Sequence, residues 1–284
     1  MEQNNEFLNE LFDLLPDIYQ QHSPLNKIHS FLLNITSRFI ADAFNKGDSI
    51  VLGPYENIIF PYQAMGNISS INLFELDELI IFAFYWHNKA RYKNVLDLGA
   101  NLGLHSILLS KCGYKVNAFE PVPLHYQALK ENIKNNCCEN ITTHQAAVST
   151  HTNGTEFLLV KGNTTGSHIV GSKKNPYGEL ETLKVNTVTF NSIVENIDLI
   201  KMDVEGHEST IILESPPTMW ENTDLMLSIH DQENAQLIFD YFNQHNIPMY
   251  SQKLNWGKVE KIEDMIVTHH DGSLFISKTN KPWL

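Results

Sequence analysis

The stretch from Asn94 to Ser106, NVLDLGANLGLHS, constrains the fold more than any other part of this sequence. It has the pattern of an apolar strand, a turn rich in glycine, and the first turns of a helix. These three elements in this order form a nucleotide-binding corner, because glycine lets the backbone approach a ligand and the helix start offers free N–H groups. The sequence therefore predicts an α/β fold with a cofactor at this corner.

The motif inside this corner indicates the kind of cofactor. A plain dinucleotide fingerprint, G-x-G-x-x-G, has glycine where this chain has Asn101. The pattern D-x-G-x-N-x-G instead resembles motif I of class I S-adenosylmethionine (SAM) methyltransferases. Together with the block DLIKMDVEGHE at 198–208, it resembles the FkbM family of SAM-dependent methyltransferases over roughly residues 78–277. The resemblance implies SAM as cofactor and methyl transfer to hydroxyl oxygens, many of them on sugars or polyketide-type natural products.

The second part of the cofactor site follows at the expected spacing. Glu120 ends the next predicted strand, and an acid about twenty residues past the glycine turn accepts hydrogen bonds from both ribose hydroxyls. His105 and Asn67 are expected near the methionine end of the cofactor. The predicted cofactor-binding residues are Asp97, Gly99, Asn101, Gly103, His105, Glu120 and Asn67.

The predicted catalytic residues follow two other strands. In open α/β sheets, ligands lie beyond the carboxyl ends of the strands, and Asp203 and His230 each end or closely follow a strand. In the usual methyltransferase order these strands are neighbours, about 4.8 Å apart, so the two side chains can share one hydroxyl proton. We expect His230 to accept that proton, since its reference pKa of about 6.5 suits neutral pH, and Asp203 to orient it or bind the substrate. Glu205 is a further candidate.

Each of these residues also has a plainer explanation. Asp203 could cap the following helix, and His230 could begin an exposed loop. His207 is expected on a helix surface. The acids here would suit Mg²⁺, but no spacing is specific for a metal site, so no metal is predicted.

From Asn94 onward predicted strands alternate with helices, which is typical of a doubly wound sheet. We expect an α/β fold with a Rossmann-like, seven-stranded, mostly parallel sheet in residues 76–284, and an N-terminal helical and short β extension in residues 1–75. The predicted strands are 95–98, 116–119, 142–147, 198–202, 225–229 and 274–277, and the predicted helices are 103–112, 122–135, 192–194, 207–213 and 234–245.

The extension has its own helical patterns. Apolar residues recur at helical spacing in 6–19 and 25–44, and such stripes either pack on the core or pair two copies of the chain. The extension is therefore a candidate for dimerisation through its helices, or for a cap over the substrate. Residues 163–168, NTTGSH, are a candidate substrate or lid loop.

The composition of the chain limits the kinds of partner that it is expected to bind. A formal net charge of −13 argues against nucleic acid and anionic membranes, because like charges repel. No apolar run reaches the length of a membrane span, and the first residues lack the apolar region of a secretory signal, so the cytoplasm is the expected compartment. The three cysteines have no metal-site spacing and predict no disulfide.

Three functions remain open from the sequence. The first is a SAM-dependent O-methyltransferase acting on a small-molecule or glycan acceptor. The second is a nicotinamide-dependent oxidoreductase, which Asn101 and the lack of a Tyr-x-x-x-Lys pair disfavour. The third is a protein that binds SAM without catalysis.

Overall fold

The computed structural model describes residues 2–47, 49–173 and 178–283 of the chain. Its α-helices are α1 (Glu2–Asp17), α2 (Lys27–Phe44), α3 (Leu76–His87), α4 (Leu104–Lys111), α5 (Pro123–Asn135), α6 (Glu208–Leu213) and α7 (Gln232–Gln244). Its strands are β1 (Ser49–Val51), β2 (Asn57–Ile59), β3 (Asn94–Leu98), β4 (Lys115–Phe119), β5 (Ile141–His144), β6 (Ala147–Ser149), β7 (Thr155–Val160), β8 (His168–Ile169), β9 (Leu180–Val185), β10 (Thr187–Thr189), β11 (Leu199–Met202), β12 (Asp224–Leu227), β13 (Met249–Ser251), β14 (Gly257–Lys258) and β15 (Leu274–Ile276).

The main sheet has the strand order β14-β13-β15-β12-β11-β3-β4-β5. Strands β12, β11, β3, β4 and β5 are parallel, and β15 runs antiparallel beside β12. The α/β, doubly wound fold class is thereby confirmed. The sheet has eight strands instead of the expected seven, and two of them, β13 and β14, are missing from the predicted strands because 3 and 2 residues are too short to leave a pattern in the sequence.

Alternate residues of the central strands enter two hydrophobic cores. Val95 and Leu199 belong to a core shared with α1, α3 and α4, whereas Leu96 and Ile200 belong to a core shared with α6 and α7. Because side chains alternate across a strand, the sheet is buried on both faces. Asp97 and Lys201, two residues on from Val95 and Leu199, therefore face the side of α3 and α4.

The N-terminal helices pack on the chain's own core. Leu8, Leu11 and Leu15 of α1 are at most 3% exposed and lie in the same cluster as strand residues of the main sheet. Packing within a single chain therefore explains the apolar stripe of α1. The domain boundary at residue 75 and the homodimer stay predictions.

Two sequence-predicted elements have different forms in the structure. The strand predicted at 142–147 is divided into β5 and β6, and β6 leaves the main sheet to pair with β10. The short helix predicted at 192–194 is a 3₁₀ turn, Phe190–Ser192. Both lie in the connection between β5 and β11, where short elements carry little periodicity.

In the part of the chain that the structure describes, no helix is long and apolar enough to cross a membrane. All three cysteines are free thiols.

A buried polar junction connects the segment after α1 to the hairpin formed by β13 and β14. His22 donates from Nε2 to the Leu15 carbonyl at 2.9 Å, and its Nδ1 accepts the indole N–H of Trp256 at 3.0 Å. Burial lowers the pKa of His22 to about 3, so the ring is neutral at neutral pH. Ser23 continues the junction, since its backbone N–H donates to Asn255 Oδ1 at 2.8 Å.

This junction makes stability sensitive to acid. Below pH 6.5 the unfolded chain protonates His22 while the folded chain does not, so the free energy of unfolding falls as pH drops from about 6.5 to 3, by up to about 1.4 kcal/mol per pH unit. We expect His22→Gln to lose less stability than the wild type between pH 7 and pH 5 in urea titrations. Equal losses of stability in His22→Gln and the wild type would show that His22 does not cause the acid sensitivity.

Candidate functional site

A cavity of about 1490 Å³ opens at the carboxyl ends of β3, β4, β11 and β12. One wall comes from the glycine turn and from Glu120. The opposite walls come from α2, α3, residues 163–173 and the start of α7. The cavity borders the point where the sheet order reverses between β3 and β11, which is where open α/β sheets bind ligands.

The glycine turn requires glycine for two physical reasons. Gly99 has φ of +78°, and a Cβ there would lie 1.9 Å from the backbone oxygen of Asp203. Gly103 has φ of +90°, and its Cβ would lie 2.4 Å from Leu129 Cδ1. Asn101 between them also adopts the left-handed region, which asparagine tolerates better than most residues. The turn thus lies directly against the end of β11.

Glu120 is held in place by two backbone N–H groups. Its Oε2 accepts from Asn101 at 2.9 Å and its Oε1 accepts from Val122 at 2.8 Å. Burial raises the pKa of Glu120 to about 7, against these hydrogen bonds, which lower it. The carboxylate is 4% exposed, lines the cavity, and retains acceptor capacity for ligand hydroxyls.

Asn101 and Asp97, two other residues of the corner, differ in whether they reach the cavity. Asn101 lines the cavity, and its Oδ1 is buried without a hydrogen-bond partner among the described residues. Such an orphaned acceptor in a cavity wall suits a ligand donor group. Asp97 is fully buried behind the wall, where its Oδ2 accepts from Ser106 Oγ at 2.5 Å.

The remaining predicted cofactor residues lie at the far side of the corner. His105 lines the cavity, with Nδ1 2.9 Å from the Tyr85 hydroxyl and Nε2 3.0 Å from Glu78 Oε2. Asn67 is not among the residues that line the cavity. Its backbone N–H donates to the Gly162 carbonyl at 2.7 Å and so fastens the N-terminal extension to the loop that follows β7.

The structure brings the three predicted catalytic residues together. His230 Nε2 lies 2.9 Å from Asp203 Oδ1, and His230 Nδ1 lies 3.9 Å from Glu205 Oε2. The strands that carry them are neighbours, with Met202 and Leu227 in register. Glu205 has φ of 56°, an uncommon conformation for a residue other than glycine, and it also forms an ion pair with Lys173.

These neighbours determine the charge of the pair. Burial lowers the pKa of His230, but the carboxylates of Glu205 and Asp203 outweigh it and raise that pKa to about 10. Burial raises the pKa of Asp203, yet the hydrogen bond from His230 and the charge of Lys201 hold it well below its usual range. At neutral pH the pair is therefore an imidazolium and a carboxylate.

Asp203, His230 and Glu208 also offer one ligand atom each within 4.8 Å of one another. Glu208, however, already accepts from the backbone of Val204 and Gly206 at 3.1 Å through Oε1, and from Asn234 at 2.9 Å through Oε2. These contacts explain Glu208 as the support of the loop after β11. The expectation of no metal stays a prediction.

His207 is not the surface residue that its helical context suggested. It is 9% exposed, with Nε2 3.0 Å from Ser149 Oγ and Nδ1 3.2 Å from Ser172 Oγ. Burial lowers its pKa to about 4. The residue precedes α6 at the cap position, where the chain turns inward, and so it faces the loop around residue 172 instead of solvent.

Two lysines of the cavity wall were not predicted as site residues. Lys201 lies 3.6 Å from Asp97 Oδ1, and Lys173 pairs with Glu205. The sequence did contain a signal for Lys201, because a lysine inside the apolar run LIKM needs a buried partner. For Lys173 the sequence offered only a weak signal, the basic pair that it forms with Lys174, which lies outside the described residues.

The comparison with protein families decides the classification. Residues 97–246, which hold the glycine turn, Glu120 and the Asp203–His230 pair, match the methyltransferase FkbM domain. The chain belongs to the FkbM methyltransferase family. The match favours methyl transfer over the nicotinamide-dependent alternative. No curated protein matches this sequence significantly.

Several solved structures of methyltransferases are similar to this FkbM protein, at low identity and low TM-score. The precorrin-6y C5,15-methyltransferase of Geobacter metallireducens has 13% identity and a TM-score of 0.38, over 69% of this chain and 85% of that one. The ribosomal protein L11 methylase of Lactobacillus delbrueckii subsp. bulgaricus has 13% identity and a TM-score of 0.37, over 70% and 78%. An O-methyltransferase of Bacillus cereus has 9% identity and a TM-score of 0.38, over 69% and 78%.

Proposed function

We propose that this FkbM methyltransferase uses SAM to methylate a hydroxyl of a small polar acceptor, a sugar, glycan or natural-product precursor. The observation that carries the proposal is the His230–Asp203 pair at 2.9 Å, which lines the same cavity as the glycine turn and Glu120. A methyl donor bound at the glycine turn would share this cavity with the proton-accepting pair, as transfer to a hydroxyl requires.

The residues of the corner fit SAM. Glu120 would accept from the ribose hydroxyls, and the unpartnered Oδ1 of Asn101 would accept a further donor of the ligand. Glycine at position 99 lets the turn pack against the Asp203 backbone, in the conformation that borders the cavity. When bound, SAM supplies an electrophilic methyl group on a positively charged sulfur.

In this proposal His230 removes the hydroxyl proton and Asp203 orients the ring. The hydrogen bond between His230 and Asp203 fixes the imidazole plane, and Glu205 stabilises the imidazolium that forms when the proton is taken. His230 must first lose its own proton. The positive charge on the sulfur of bound SAM, in the same cavity, would favour that loss.

The loop after β7 is the proposed acceptor wall. Thr164, Thr165 and Ser167 line the cavity, and Thr164 Oγ1 lies 3.0 Å from His125 Nε2. Hydroxyl groups in the wall of the cavity suit a hydroxyl-rich acceptor, because each can donate and accept. The net charge of −13 supports a small molecule over nucleic acid as the partner.

Incubation with SAM carrying a ¹³C-labelled methyl group and a panel of sugars, glycans and polyketide-type alcohols tests the proposal. We expect a new O-methyl signal in the NMR spectrum with at least one hydroxyl acceptor and none after the double change Asp203→Ala, His230→Ala. A label found on nitrogen or carbon, or a double variant as active as the wild type, would contradict it.

The pH dependence of kcat gives a second, independent test. Neutral His230 becomes more abundant as pH rises, so kcat should rise with pH along a limb that reports the pKa of this residue. Because the Asp203 carboxylate raises that pKa, Asp203→Asn should move the midpoint of the limb to lower pH, by about one to three pH units. A midpoint that stays in place or moves upward would exclude His230 as the titrating base.

A further inference from the structure

Lys201 is a charged residue in the middle of a buried strand. It is 7% exposed, between Ile200 and Met202, which are fully buried. A lysine at such a position must have partners for its ammonium, because an unpaired buried charge is strongly unfavourable. An apolar residue would pack there at lower cost, so the side chain points to a role other than filling space.

The partners of Lys201 belong to the cofactor corner. Its Nζ donates to the Gly99 carbonyl at 3.2 Å and lies 3.6 Å from Asp97 Oδ1. Asp97 Oδ1 accepts no hydrogen bond from any residue in the described ranges, so this ammonium is the group that offsets its charge. Burial lowers the pKa of Lys201, but Asp97 and Asp203 outweigh it and the pKa is raised, which keeps the ammonium charged.

The contact spans the reversal point of the sheet. Lys201 and Asp97 are register partners on β11 and β3, the two strands from which the chain winds in opposite directions. Above them, the Asp203 N–H donates to the Leu98 carbonyl at 3.0 Å, and the Gly99 backbone touches that of Asp203. The Lys201 ammonium therefore links two parts of the site. One is the glycine turn, which is expected to hold the methyl donor, and the other is the end of β11, next to the proton-accepting pair.

We propose that Lys201 is a positioning residue, which holds the glycine turn against the end of β11 and so sets the distance from methyl donor to proton acceptor. This inference rests on the proposed function of the cavity. Misplacement by about 1 Å can slow a reaction by about a hundredfold while the binding of either ligand alone changes little. Loss of the ammonium should therefore act on kcat more than on affinity.

The test compares Lys201→Met, which keeps the length and removes the charge, with Lys201→Gln, which keeps a donor. The matched control is Lys115→Met, an exposed lysine at the start of β4. We expect kcat of both Lys201 variants to fall about thirtyfold to a hundredfold, with the acceptor KM and the dissociation constant of S-adenosylhomocysteine within about fivefold. The control should keep its kcat within about twofold.

Two further measurements separate positioning from general stability. Propylamine should partly restore kcat to Lys201→Ala, because a free ammonium can occupy the vacated space. Amide hydrogen exchange of the turn at 99–103 in the ligand-free protein should rise about tenfold in Lys201→Met, while exchange in β12 stays unchanged. The exchange experiment needs no enzymatic activity.

These measurements distinguish a positioning role of Lys201 from a purely structural one. Variants that lose kcat, affinity and melting temperature together without amine rescue, or that fail to fold, would show that Lys201 serves the fold alone and overturn the inference. Variants as active as the wild type would also overturn it. A wild-type protein that fails to bind S-adenosylhomocysteine or to methylate a hydroxyl would instead contradict the proposed function, and the exchange result would still decide the role of Lys201.

Discussion

His230→Asn is expected to lower kcat by about a hundredfold to ten-thousandfold, the usual contribution of a positioned general base. Both ring nitrogens of His230 lie within 4 Å of carboxylates, at 2.9 Å from Asp203 and 3.9 Å from Glu205. SAM affinity should not fall, because His230→Asn removes a positive charge from the cavity proposed to bind the cationic cofactor. Steady-state kinetics and calorimetric titration measure the two quantities.

The double variant and a matched control sharpen this prediction. Because His230 and Asp203 act as a unit, Asp203→Ala combined with His230→Ala should be only slightly slower than His230→Ala alone. His245→Asn is the control, since His245 ends α7 and contacts Tyr241 without lining the cavity. Full activity of His230→Asn, or an equal loss in the control, would remove His230 from the mechanism.

Gly99→Ala should both destabilise the protein and weaken cofactor binding. The new Cβ would lie 1.9 Å from the Asp203 backbone oxygen, and the backbone there has φ of +78°, so the turn must move away from β11. A left-handed conformation alone costs about 1–2 kcal/mol, and the clash adds to it. We expect the melting temperature to fall by about 5 °C or more, and the dissociation constant of SAM to rise more than tenfold.

Gly113→Ala isolates the conformational part of this effect. Gly113 also has a positive φ, +92°, but nothing lies within 4 Å of a Cβ built there. Its alanine variant should show the smaller loss of stability and keep its affinity for SAM. If the two variants weaken SAM binding equally, the glycine turn does not hold the cofactor.

The corner was predictable because its chemistry is local in sequence. Strand β3, the turn and α4 follow each other without interruption, and Glu120 lies at the end of the very next strand. The neighbourhood of Asp203 and His230 was predictable for a different reason, namely that the strand order of this fold class makes their strands adjacent. In both cases a pattern in the sequence corresponds to one backbone geometry.

The rest of the site depends on contacts between distant segments. Neither the contact of Lys201 with Asp97 nor the burial of His207 between Ser149 and Ser172 leaves a local pattern. The charge of His230 is a further case, since the reference pKa of histidine suggests a neutral ring and two carboxylates raise it to about 10. Such values follow from what folds beside a residue, not from the residue itself.

Calorimetric and thermal-shift titration of the purified protein with SAM, S-adenosylhomocysteine and NAD directly tests which cofactor the glycine turn and Glu120 bind. We predict binding of both sulfur ligands with no response to NAD, and an added stability of about 2.7 kcal/mol at a ligand concentration one hundred times the dissociation constant. The response should disappear in Glu120→Ala, whose carboxylate accepts from Asn101 in the cofactor corner. Binding of NAD alone, or of no ligand at all, would exclude SAM as the cofactor of this site.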